Sequence, residues 1–77
     1  MSKIQELPKW FNGEVYACGD EVTNPFSGDS YVLNNKELSM YDFIMGCVML
    51  GKQDNTFLKA ITWFRMANPS AYMVLLD

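Results

Sequence analysis

The chain has 77 residues and a formal charge of −3, from nine acidic and six basic residues, with no histidine. That length makes one domain, and the absence of histidine removes serine–histidine and cysteine–histidine nucleophilic pairs and the commonest general base. The lysines and arginines are scattered rather than clustered, which argues against binding a phosphate backbone.

Residues 1–9 read as a loose N-terminal arm, without the long apolar stretch of a signal peptide. From 14 to 33 the chain is β-rich and punctuated by Gly13, Gly19 and Gly28. Glu14–Ala17 is predicted as a strand, Cys18-Gly19-Asp20 as a turn and Glu21–Asn24 as a second strand. Pro25-Phe26-Ser27-Gly28 is a turn sequence: proline fixes φ early and glycine accepts positive φ late. Asn24-Pro25-Phe26 also matches a tripeptide bound by some endocytic adaptor domains, but the turn accounts for the same residues. Asp29–Leu33 is the return strand, with Tyr31 and Leu33 on one face.

From 35 to 76 the pattern is helical. Asn34 followed three residues later by Glu37 forms a capping-box signature, and Gly51 is a natural stop, so a helix is predicted over 35–50. Ser39, Asp42 and Gly46 make its one polar or small stripe; the rest, from Leu38 onward, is apolar nearly all round. A second helix is predicted over 56–67, capped by Asp54 or Asn55, with Phe57, Ala60, Ile61 and Phe64 inward and Thr56, Lys59, Thr62 and Arg65 outward. Asn68-Pro69 ends it and starts a short third helix over 69–76. The expected fold is α+β: an N-terminal β-hairpin or three-stranded antiparallel meander, then two α-helices and a short C-terminal helix on one face of the sheet. The runner-up is a mainly helical domain with a single hairpin arm.

Several chemistries find no support in the residues. Cys18 and Cys47 are expected to be free thiols in a reducing cytoplasm. Without Cys-x-x-Cys or histidine a zinc site would need carboxylates throughout, and the glycines form no phosphate-binding loop, so no metal and no cofactor are expected. Glu14, Asp20, Glu21 and Asp29 lack the spacing of a calcium loop and suit turns. The longest apolar run, Phe43–Leu50, is interrupted by Gly46 and too short to cross a bilayer.

What stands out is apolar content. Aromatics make up 14% of the residues and six methionines add adaptable apolar surface. Burial and ordering terms for a chain of this size each come to roughly 120 kcal/mol, so such a domain often leans on a partner. The stretch Leu38–Leu50 offers more apolar side chains than so small a body can hide. Met40, Phe43, Ile44, Cys47, Met49 and Trp63 are the candidate interface residues.

Thr23-Asn24-Pro25-Phe26-Ser27-Gly28, Met40-Tyr41-Asp42, Trp63-Phe64 and the closing run Asn68–Asp77 resemble small proteins of tailed bacteriophages, especially those infecting marine cyanobacteria. The resemblance covers the chain from about Trp10 onward. It implies a viral origin and action in the host cytoplasm, and it brings no assigned activity and no functional residues. The expected function is a non-catalytic interaction module that self-associates or modulates a host or viral complex. A minor virion structural or assembly component is the first alternative. An enzyme using carboxylates with a tyrosine or lysine is the second, which requires at least two of Glu14, Asp20, Glu21, Asp29 and Asp42 to share a pocket.

Overall fold

The structure, a computed structural model, describes residues 6–11 and 13–76. Strand β1 (Asp20–Thr23) pairs antiparallel with β2 (Ser30–Leu33), and helices α1 (Asn35–Leu50), α2 (Asn55–Ala67) and α3 (Pro69–Leu75) follow. The fold is therefore α+β, a hairpin followed by three helices.

The hairpin register sets Val22 opposite Tyr31 and Asp20 opposite Leu33. Period-two alternation turns Leu33 fully inward, with Val22 and Tyr31 half-buried beside it, and leaves Val32 exposed. The turn closes through Gly28 N–H donating to the Asn24 carbonyl at 2.8 Å, with Gly28 at φ 81°. The Asn24 side-chain oxygen accepts from the Phe26 N–H at 2.9 Å, and its amide donates to the Val74 carbonyl at 3.0 Å. The turn is thereby fastened to α3.

Residues 14–17, expected as a strand, lie outside the two-stranded sheet. Helix α1 holds them instead. The Tyr16 N–H donates to Ser39 Oγ at 2.9 Å, and the Asn35 amide donates to the Tyr16 carbonyl at 3.2 Å. Of the expected N-terminal arm, residues 1–5 lie outside the described residues. Residues 6–9 are docked: the Trp63 indole N–H donates to the Glu6 carbonyl at 2.9 Å, and Leu7 packs against the core. Lys36 also meets Glu6 at 2.7 Å, an exposed ion pair of small energetic weight.

The helix ends are closed by the groups the sequence supplies. Asn34 accepts from Glu37 N–H at 2.8 Å, while the Glu37 carboxylate accepts from Asn34 N–H at 3.0 Å. At the other end of α1, Gly51 adopts φ 71°, and Lys52 N–H returns to the Cys47 carbonyl, a Schellman closure. Asp54 caps α2 and Asn68 caps α3. The core is Leu33, Met40, Ile44, Ala60, Trp63, Phe64, Ala71 and Leu75. It lies between β2, α1, α2 and α3, with Phe64 wholly enclosed and the Tyr41 ring 6.2 Å away.

Candidate functional site

The six candidate interface residues separate into two groups. Met40 and Ile44, one helical turn apart, are fully buried and serve as core. Trp63 is also buried, its indole engaged with Glu6. Met40 and Ile44 are thereby withdrawn from any partner, whereas Trp63 keeps an edge in the wall of a groove. Phe43 is half-buried, with the Phe11 ring 5.6 Å and the Trp10 ring 6.3 Å from its own. Cys47 is half-buried, and Met49 stands 84% exposed.

Nine large apolar side chains are exposed among the described residues, and five of them lie at the end of α1 and along α2. Val48, Met49 and Leu50 finish α1 in the open, and Leu58 and Met66 stand out from α2. The sequence reading assigned Leu58 and Met66 to neither face of α2. Their spacing held the signal: with Phe57, Ala60, Ile61 and Phe64 turned inward, Leu58 and Met66 fall on the far side with Thr62 between them. Phe26 is 96% exposed at the hairpin tip and belongs to neither groove described next.

Two shallow grooves flank the first turn of α2. One, of about 570 Å³, is lined by Trp10, Asn55, Leu58, Lys59, Thr62, Trp63 and Met66. It has an apolar floor, one ammonium and no carboxylate. The other, of about 480 Å³, lies between the 13–16 segment, the second half of α1 and the start of α2. Phe43, Cys47 and Leu50 form its apolar part, Gly46 leaves it open, and Glu14, Asp42 and Asp54 face Lys52 at its rim. One groove is thus positive and the other carries three carboxylates against one lysine.

The second groove brings together Glu14 and Asp42, two of the five carboxylates considered for catalysis. Both are exposed to solvent. Hydrogen bonding to Asp42 favours the neutral phenol of Tyr16 and raises its pKa; desolvation and the charges of Asp42 and Glu14 act in the same direction. Burial pushes the Cys47 thiol up, and Asp54 adds to this against the opposing pull of Lys52. The thiol at the groove wall is therefore less readily ionised than a free one. Cys18 is exposed, and both cysteines are free. Among the described residues no three histidine, cysteine or carboxylate side chains are grouped to hold a metal ion. No helix among them is long and apolar enough to cross a membrane. Every buried side-chain nitrogen or oxygen among them has a hydrogen-bond partner.

No protein-family model, no curated protein and no solved structure matches this chain.

Proposed function

We propose that the chain is a non-catalytic interaction module that engages protein through the α1–α2 corner. The supporting observation is where the apolar excess goes. The core is filled by Met40, Ile44, Phe64 and their neighbours, yet Leu50, Leu58 and Met66 remain exposed along two apolar-floored grooves, and Val48 and Met49 stand exposed in the last turn of α1. Exposed apolar side chains gathered along grooves with polar rims mark an interaction site more often than single scattered ones do. The module acts in the cytoplasm of the cell that makes it. Where its partner belongs to a virus particle, the chain is a minor virion component, and mass spectrometry of purified particles detects it there.

Site-specific photocrosslinking tests the reading. A photoreactive amino acid replaces Leu58 in one variant and Val32, on the outer face of the hairpin, in another. The Leu58 variant yields a discrete protein adduct in cells and the Val32 variant yields none. Adducts from neither position, or from Val32 alone, refute the assignment.

A carboxylate enzyme is the second reading, favoured by one observation, the meeting of Glu14 and Asp42 in one groove. Their exposure weighs against it. Turnover of a small substrate that is lost in both Glu14→Gln and Asp42→Asn would displace the interaction reading.

A further inference from the structure

We propose that the partner at the α1–α2 corner is a second copy of this chain, related by a two-fold axis, so that the acidic groove of each copy receives the Lys59-bearing groove of the other. This rests on the interaction reading above and names its partner.

Three observations carry it. First, the grooves are neighbours. Asn55 lines one while Asp54 and Thr56 line the other, so both flank the first turn of α2. A two-fold interface needs this arrangement, because each of two adjacent patches must meet its complement on the other copy at the same time. Patches on opposite sides of a molecule would instead give open chains. Second, the charges are complementary. Lys59 is the one charged side chain of the first groove, and Glu14, Asp42 and Asp54 outnumber Lys52 in the second. Two copies of either groove placed face to face would repel, whereas one of each attracts, and the pairing happens twice per dimer. Third, the apolar parts match. Leu58 and Met66 on one side and Leu50 on the other are exposed in a single copy, and bringing the grooves together takes them out of water. A standard interface removes about 800 Å² per partner, roughly one-seventh of the 5277 Å² this chain exposes.

Sedimentation equilibrium with paired charge reversals tests the proposal. Lys59, Glu14 and Asp42 are all exposed, and circular dichroism verifies that each variant keeps its fold. The wild-type chain sediments as a dimer whose dissociation increases with salt. Lys59→Glu makes both grooves of a copy acidic, and Glu14→Lys together with Asp42→Lys makes the acidic groove basic, with three lysines against Asp54. Each alone weakens dimerisation by at least about tenfold, since both contacts of the dimer are affected. An equimolar mixture of the two variants forms heterodimers, and the chain carrying all three reversals dimerises with itself. A wild-type chain that stays monomeric, that grows beyond a dimer, or whose reversed variants fail to rescue one another overturns the two-fold pairing. If that monomer still gives a foreign adduct from the Leu58 photocrosslinker, only the pairing fails. If it gives no adduct, the interaction reading fails with it.

Discussion

Ser39 is the one buried polar residue among the described residues. Its hydroxyl donates to the Asn35 carbonyl at 2.7 Å and accepts from the Tyr16 N–H at 2.9 Å. Ser39→Ala leaves that N–H without its partner, and the expected loss is about 1–3 kcal/mol by chemical denaturation. Gly19 is constrained by its neighbours rather than by φ. A Cβ there would collide with the Leu33 carbonyl oxygen and the Asn34 backbone, so Gly19→Ala must move the junction of β2 and α1 and costs more than about 1 kcal/mol. The cysteines differ by access: an alkylating agent at neutral pH labels exposed Cys18 well before Cys47, which is half-buried with a raised thiol pKa. Equal labelling rates would contradict that placement. Tyr41 gives a pH dependence. Burial raises its phenol above 10.0, so the folded state holds this proton more tightly than the unfolded chain. The contribution is fully present below pH 10.0 and is lost as pH rises through the folded-state value. Tyr41→Phe removes this part of the alkaline decline; an unchanged pH profile would show that Tyr41 ionises as freely folded as unfolded.

At the scale of elements, the helix boundaries were legible because each carries a local chemical signature. Asn34 with Glu37, Gly51, Asp54 and Asn68-Pro69 mark starts and stops whose cause is the unpaired amides and carbonyls of helix ends. Asn34→Ala is expected to cost about 1 kcal/mol. Glu37→Ala costs more, because the second Glu37 oxygen also accepts from the Asn68 amide at 3.3 Å and joins the start of α1 to the α2–α3 junction. If the two variants unfold at the same denaturant concentration, that link has no weight. The hairpin was legible from its turn. Residues 14–17 were misread because β-type composition does not distinguish a paired strand from an extended segment fastened to a helix. The partner that decides, Ser39, lies on a distant element. Likewise, the apolar girth of α1 did not reveal which side faces inward. Only the packing of α2 and β2 assigns Met40 and Ile44 to the core and leaves Met49 and Leu50 outside. The approach of Glu14 to Asp42 was invisible for the same reason.

Across the whole molecule, apolar side chains divide between a filled core and the exposed sides of α1 and α2. Phe64 is fully enclosed, and Phe64→Ala should cost about 3–5 kcal/mol. Leu58 and Met66 hide little in a single copy, so Leu58→Ser with Met66→Ser should change the stability of the isolated chain by less than about 1 kcal/mol. The same pair of substitutions should abolish association. The most direct measurement is oxidative footprinting of the methionines, comparing the chain in the cells that express it with dilute purified protein. Met49, Met66 and Met73 are all exposed in a single copy, Met49 in the last turn of α1, Met66 in the last turn of α2 along the first groove and Met73 on α3, while Met40 is buried. The predicted result is slowed oxidation of Met49 and Met66 in cells, unchanged oxidation of Met73 and slow oxidation of Met40 in both. Equal oxidation of Met49, Met66 and Met73 under both conditions would mean that the corner stays bare and the chain does not act through it.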